Sequence, residues 1–169
     1  AALKRGAPRT LIMADMPFMS YHASVETAMA NAARFMREGL ADVIKLEVDE
    51  TFAPLVDRLT RAGVPVCAHI GFRPQTTAVL GGPTAQGRTD DAMGQLVRDA
   101  VAMERAGAVL ILVEAVPDEV TGDPRDFLSK PRWQRILVYL DHFGNAQHVQ
   151  RERVQAAHVS GKEQRRSHQ

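Results

Sequence analysis

Short apolar runs alternate with amphipathic stretches from Thr10 to about Thr121. Leu11-Ile12-Met13-Ala14 is an uninterrupted apolar run closed by Asp15 and Pro17, the pattern of a strand covered on both faces. Ser24 can cap a helix reaching about Glu38. Val25, Ala28, Met29, Ala32, Phe35 and Met36 recur there at helical spacing, and Gly39 suits the position just past its end. Val43-Ile44-Lys45-Leu46-Glu47 predicts a second strand within Asp42 to Val48. Phe52, Leu55, Val56 and Leu59 then mark a helix ending near Gly63. Pro65 to Ile70 predicts a third strand. A Gly-rich connection from Leu80 to Thr89 leads to a helix capped by Asp90 or Asp91, whose stripe of Met93, Leu96, Val97, Ala100, Val101 and Met103 stops near Gly107. Val109 to Glu114 predicts a fourth strand. Strand and helix alternating in this way predict βαβ units and an α/β fold with a parallel sheet.

The pattern changes after Thr121, where Gly122, Pro124 and Pro131 interrupt the chain. Trp133 to Phe143 predicts a helix with Ile136, Leu137, Leu140 and Phe143 on one side, and no further strand is expected. Residues 151–169 carry five Lys or Arg against two Glu and are expected to fray. The expected organisation is therefore a catalytic α/β domain over residues 1–121 and a helical, partly disordered basic tail over residues 122–169.

Composition narrows the function classes. The chain has 169 residues, enough for a real core, and its 21 basic and 20 acidic residues leave a formal charge of +1. Bulk charge therefore gives no case for nucleic-acid or membrane-surface binding. Cys67 is the single cysteine, so no internal disulfide forms. Lying in Val64-Pro65-Val66-Cys67-Ala68, it reads as a small buried hydrophobe. No apolar stretch approaches the length of a bilayer span, and Ala1 to Pro8 lacks the apolar segment of a signal peptide. A cytoplasmic location is expected.

The chemistry lies in a position common to the four strands. Asp15 closes the first, Lys45 and Glu47 lie at the end of the second, His69 is near the end of the third, and Glu114 ends the fourth. Parallel α/β proteins place their sites at that edge. A carboxylate there is costly to desolvate unless it is paired or metal-bound. Each residue also has a plainer reading. Asp15 can cap a turn, Lys45 and Glu47 can be a structural ion pair, His69 a satisfied core histidine, and Glu114 a helix-start carboxylate. Gly81-Gly82 with Gly87 is neither a P-loop nor a dinucleotide fingerprint, and serves equally as an active-site loop or an ordinary connection. His142, His148, His158 and His168 form no compact ligand motif.

Taken together, Asp15 and Glu47 could help hold a hard cation such as Mg²⁺, which favours oxygen ligands. Such a metal can bind the oxygens of a 2-oxo acid and acidify the neighbouring C–H. Lys45 could neutralise a substrate carboxylate or developing enolate, and Glu114 could take the proton. That is a site for making or breaking a carbon–carbon bond through an enolate.

At these residues the sequence resembles the ketopantoate hydroxymethyltransferase family. The resemblance is carried by Arg5-Gly6-Ala7-Pro8, Ala14-Asp15-Met16-Pro17-Phe18-Met19-Ser20-Tyr21, Asn31-Ala32-Ala33-Arg34 and Val43-Ile44-Lys45-Leu46-Glu47. It continues through Gly63-Val64-Pro65-Val66-Cys67-Ala68-His69-Ile70-Gly71-Phe72, Pro74-Gln75, Leu80-Gly81-Gly82, Gln86-Gly87-Arg88 and Val113-Glu114-Ala115-Val116-Pro117. Order and spacing match over about residues 3–121. The resemblance implies a (β/α)8 TIM barrel. It also implies hydroxymethyl transfer from the co-substrate 5,10-methylenetetrahydrofolate to 3-methyl-2-oxobutanoate, giving 2-dehydropantoate for pantothenate biosynthesis. It implies a metal site for Mg²⁺ at Asp15 and Glu47, substrate binding by Asp15, Lys45 and His69, and Glu114 as the proton acceptor. The implied partners are the small-molecule 2-oxo acid and folate, and a second copy of the chain in a homo-oligomer, with no nucleic acid and no membrane.

The sequence also departs from that pattern. Val48-Asp49 stands where the family has Gly-Gly, Ala68 where it has Gly before the strand-end histidine, and Pro83-Thr84-Ala85 where it has Tyr-Lys-Val. A complete barrel takes about 250 residues. The matched stretch accounts for what resemble the third to sixth strands, so the expected fold is a partial barrel of about four βα units. The family's Gly-Asp-Ser and Gly-Ile-Gly-Ala-Gly motifs have no counterpart here. A chain truncated at both ends in this way is expected to be a poor catalyst or inactive by itself. Two alternatives stand beside the transferase. One is a Mg²⁺-dependent oxo-acid carbon–carbon lyase of a related barrel family. The other is a non-catalytic remnant or interaction module.

Overall fold

A computed structural model of the chain describes residues 1–80 and 87–116 and the backbone of residues 137–140. Four parallel strands form as the sequence predicts: β1 (Met13–Asp15), β2 (Val43–Glu47), β3 (Val66–Gly71) and β4 (Leu110–Glu114). Five helices accompany them: α1 (Ala2–Gly6), α2 (Val25–Arg37), α3 (Ala53–Arg61), α4 (Thr77–Leu80) and α5 (Asp90–Arg105). Short 3₁₀ turns at Glu50–Phe52 and Pro74–Thr76 follow β2 and β3. No described helix is long and apolar enough to cross a membrane.

A fifth strand, β5 (Leu137–Leu140), pairs in parallel with β4, and the sheet runs in the order β1-β2-β3-β4-β5. This corrects the helix expected over Trp133 to Phe143. The run Ile136-Leu137-Val138-Tyr139-Leu140 is as consistent with a strand as with a helix, and pairing with the free edge of β4 decides it. The remainder of the expected tail lies outside the described residues. Each strand neighbours the next in sequence, with no reversal of order. That is the progression of a (β/α) barrel wall and not of a doubly wound sheet, whose order switches direction.

The helices form where local chemistry starts and stops them. Ser24 caps α2 as expected, its side chain accepting from the Thr27 backbone N–H at 3.1 Å. Thr89 caps α5 by accepting from Ala92 N–H, while Asp90 and Asp91 occupy the first turn, where their charge favours the helix dipole. The cap is thus one residue earlier than expected. Gly39 is not the left-handed residue after α2. Leu40 takes that conformation, and Gly39 is needed instead for close approach, since a Cβ there would meet the Phe35 carbonyl at 2.5 Å.

The sheet has two unlike faces. Ile44, Leu46, Val48, Val66, Ala68, Ile70, Ile111 and Val113 pack under the helices against Ala28, Ala32, Leu55, Val56, Leu59, Ala100 and Met103. Burying each large aliphatic side chain there contributes roughly 1.5–3 kcal/mol. The other face carries a smaller apolar patch of Val43, Cys67 and Leu112 with Leu110. β1 departs from the expected two-sided burial: Met13 and Asp15 are exposed while Ala14 faces the helix-side core. Among the described residues β1 is an edge strand, so it lacks a second neighbour to cover it.

Candidate functional site

Strand register assembles the site. Asp15 pairs with Lys45, Glu47 with His69, and Gly71 with Glu114. Lys45 and Glu47 are two apart in β2, and His69 and Gly71 two apart in β3, so all five side chains project from the face opposite the helices. They climb across the sheet like a stair at the strands' C-terminal ends, just beyond the Val43, Cys67 and Leu112 patch. The five residues expected from the sequence are therefore brought to one place.

The pairings within the stair differ from the plain readings. Lys45 Nζ lies 2.5 Å from Asp15 Oδ2, so lysine pairs across strands with Asp15 and not along its own strand with Glu47. Asp15 is half exposed and Lys45 mostly covered. His69 is fully buried, and its Nε2 lies 3.1 Å from Glu114 Oε2. No well-aligned hydrogen bond accompanies that approach, and neither ring nitrogen has a hydrogen-bond partner among the described residues. Burial, aided by the Lys45 and Arg73 cations, pushes the His69 pKa down to about 3, against a smaller opposing effect of the Phe72 backbone. His69 is thus neutral, and its contact with Glu114 is not an ion pair. The imidazole thus has Glu114 and the Phe72 backbone close by but no well-aligned hydrogen bond among the described residues, unlike the satisfied core histidine of the plain reading.

Glu114 is held above the usual carboxylate range by desolvation, which nearby Lys45 partly offsets. Glu47 is buried, and desolvation raises its pKa as well. The Gln75 N–H and Lys45 work against that rise, while Asp15 and Glu114 add to it. A carboxylate whose pKa is raised by burial is a stronger base once ionised, which suits it to exchanging a proton. Among the described residues no three His, Cys, Asp or Glu side chains converge on a metal position. Asp15 and Glu47 remain two hard oxygen donors on one face of adjacent strands. Asp15 and Glu114 both press electrostatically on the Glu47 carboxylate, a repulsion that a bound divalent cation would relieve, and Mg²⁺ is commonly held by one or two carboxylates with water. The donor set fits that ion.

Tyr21, Arg73, Asp49 and Gln75 are parts of the site that strand patterning missed. Tyr21 Oη accepts from Glu47 N–H at 3.2 Å and lies 3.0 Å from the Glu47 carbonyl and 3.1 Å from Gln75 Oε1. Gln75 N–H donates to Glu47 Oε2 at 2.8 Å, and Gln75 Nε2 donates to the Met16 carbonyl at 2.9 Å. Arg73 pairs with Asp49 at 2.6 Å, tying the segment after β3 to the segment after β2. These residues act from loops, where no periodicity marks them. The signals that mark them are Pro74 just past a strand end and, for Tyr21 and Gln75, the stretches that carry the family resemblance.

Other sequence readings resolve simply. Cys67 is fully buried and burial pushes its thiol up to about 12, so it is the inert hydrophobe expected. Residues 81–86 of the Gly-rich connection, and His142, His148, His158 and His168, lie outside the described residues.

Comparison with known proteins gives consistent matches. A family model described as ketopantoate hydroxymethyltransferase matches residues 1–129. The 3-methyl-2-oxobutanoate hydroxymethyltransferase of Rhodococcus jostii is 50% identical over 127 residues, covering 75% of this chain and 44% of that protein. The protein of the same name from Bacillus subtilis is 44% identical over 153 residues, covering 85% and 55%. That from Heliobacterium modesticaldum is 51% identical over 113 residues, covering 67% and 41%. The chain spans about half the length of the curated relatives it matches.

Proposed function

The chain belongs to the ketopantoate hydroxymethyltransferase family, and from that premise we propose that its stair of strand-end residues binds 3-methyl-2-oxobutanoate and removes the proton from C3 for hydroxymethyl transfer. One observation carries this reading: register places Asp15, Lys45, Glu47, His69 and Glu114 on one face at the C-terminal ends of adjacent strands. The family match favours the transferase over the lyase alternative.

The roles follow from the chemistry of each group. Lys45 presents its ammonium to the carboxylate of the 2-oxo acid, exchanging Asp15 for a substrate anion of the same charge. Glu114, raised by burial, takes the C3 proton onto a carboxylate oxygen, and the resulting charge delocalises into the adjacent carbonyl as an enolate. Neutral His69 packs against Glu114, excluding water without adding a charge that would quench the base. Asp15 and Glu47 would hold Mg²⁺, which supplies Lewis acidity toward the oxygens of the 2-oxo acid. The one-carbon unit comes from 5,10-methylenetetrahydrofolate and the hydroxyl oxygen from water, and tetrahydrofolate leaves.

The test is calorimetric titration of 3-methyl-2-oxobutanoate with and without Mg²⁺, using Asp15→Asn and Glu47→Gln as comparisons. Binding that needs the metal and both carboxylates is the expected result. A folded chain that binds nothing under either condition would sink the reading.

A further inference from the structure

We propose that Gln75 is a positioning residue for Glu47: its side-chain amide bridges Met16 and Tyr21, and that bridge holds its own backbone N–H against the Glu47 carboxylate. The proposal deepens the functional reading above by naming what aims one of its two carboxylates.

The geometry runs in a closed loop. Gln75 sits in the 3₁₀ turn Pro74–Thr76, which follows β3 and contains no buried residue. The Arg73–Asp49 pair anchors the start of that turn and leaves the aim of the residue-75 amide to be fixed. That N–H meets Glu47 Oε2 at 2.8 Å. The Gln75 side chain adds restraints at residue 75 itself. Nε2 donates to Met16 O at 2.9 Å, at the end of β1, and Oε1 is 3.1 Å from Tyr21 Oη. Tyr21 is buried, and its oxygen takes the Glu47 N–H at 3.2 Å. Tyr21 has one hydroxyl proton and two acceptors within reach, the Glu47 carbonyl at 3.0 Å and Gln75 Oε1. Whichever it chooses, Tyr21 joins the main chain of Glu47 to the residue that binds the Glu47 side chain. Three segments, after β1, at the end of β2 and after β3, are thereby fixed relative to one carboxylate.

The alternative is that Gln75 only contributes stability. The two roles differ at one atom, the Gln75 backbone N–H. An amide proton bonded to a carboxylate resonates downfield and exchanges slowly, and it reports the N–H to Glu47 distance directly. Three variants of the whole chain test this by ¹⁵N–¹H spectroscopy without metal or substrate. Glu47→Gln marks the signal that depends on the carboxylate. Gln75→Met keeps the backbone N–H and the length of the side chain but removes both bridges. Tyr21→Phe removes one hydroxyl. The expected result is a downfield, slowly exchanging residue-75 amide in the parent chain. It moves upfield and exchanges faster in Glu47→Gln, in Gln75→Met and, to a lesser extent, in Tyr21→Phe. An unmoved amide in folded Gln75→Met, or the absence of the downfield signal in the parent chain, overturns the proposal. Should Gln75→Met fail to fold, an unmoved amide in Tyr21→Phe overturns it equally.

Titration with Mg²⁺ alone separates this proposal from the functional reading. Loss of an outer partner of a ligating carboxylate typically weakens metal binding by about tenfold or more, and that loss is expected in Gln75→Met. A parent chain that binds no Mg²⁺ but keeps the amide signature overturns the metal assignment and leaves the positioning role standing.

Discussion

Replacing His69 with leucine is expected to stabilise the chain, and more so in acid. The imidazole is fully buried and neither nitrogen makes a well-aligned hydrogen bond among the described residues. Removing an unsatisfied buried polar group relieves about 1–3 kcal/mol. Imperfect fit of leucine beside Cys67 and Leu112 returns up to about 1.5 kcal/mol. A net gain of about 1 kcal/mol at pH 7 follows. The acid effect adds to it. His69 titrates at about 3 when folded, against 6.5 for the ordinary side chain. Below 6.5 the unfolded chain therefore binds a proton that the folded chain refuses. The stability supplied by neutral His69 is complete above 6.5 and is lost as pH falls toward 3. Between pH 7 and pH 5 that loss is about 2 kcal/mol, from one and a half pH units at about 1.4 kcal/mol each. Leucine has no proton to refuse. Urea unfolding followed by circular dichroism at both pH values measures the gap between parent and variant, and equal slopes confirm that the same surface unfolds. The gap should widen by about 2 kcal/mol at pH 5. A gap that stays constant with pH, or a variant weaker at both, would mean that the imidazole is satisfied and the reasoning wrong.

Gly71→Ala should destabilise the fold by about 2 kcal/mol or more by chemical denaturation. Its φ is +86°, and a Cβ there would meet the Glu114 carbonyl at 2.5 Å. A neutral outcome would mean the β3 and β4 ends can part freely. Glu114→Gln should abolish exchange of the C3 proton of 3-methyl-2-oxobutanoate for deuterium, read by proton NMR. In the parent chain that exchange should rise with pH through a midpoint above the usual carboxylate range, because Glu114 acts only when ionised and burial delays its ionisation. Exchange that survives the substitution would remove Glu114 from the role of base. Thr89→Ala should weaken α5 by about 1 kcal/mol in a urea melt, whereas neutralising Asp90 by Asn should matter less, since Thr89 holds the cap.

The central strands were legible because burial on two faces leaves a plain apolar signature. Val43–Glu47 in particular appears with the bounds its sequence suggests. The candidate residues are legible for the converse reason: Lys45, Glu47, His69 and Glu114 are polar side chains that interrupt those apolar runs at their ends. What the pattern could not supply was partnership. Nothing in the order of residues says that Lys45 answers Asp15 and not Glu47, because that depends on register. Tyr21 and Gln75 lie in stretches that carry the family resemblance, but strand patterning passes over them because loop residues acting through single hydrogen bonds leave no periodic trace. The sequence predicts helix over the strand Leu137–Leu140 because a short apolar run carries both periods, and pairing with the edge of β4 decides which is used.

The two-faced sheet constrains how this chain can change over time. Successive residues of a strand belong alternately to the helix-side core and to the face that carries the candidate residues, so the reading frame of each strand decides which residues share that face. One codon inserted between Cys67 and His69 would turn the imidazole toward the helices and put Ile70 in the place of Gly71, opposite Glu114. The same insertion in the loops after β2 or β3 would leave both faces intact. Substitutions should therefore accumulate throughout the strands far more readily than insertions or deletions, and length variation among descendants of this sequence should be confined to the connections.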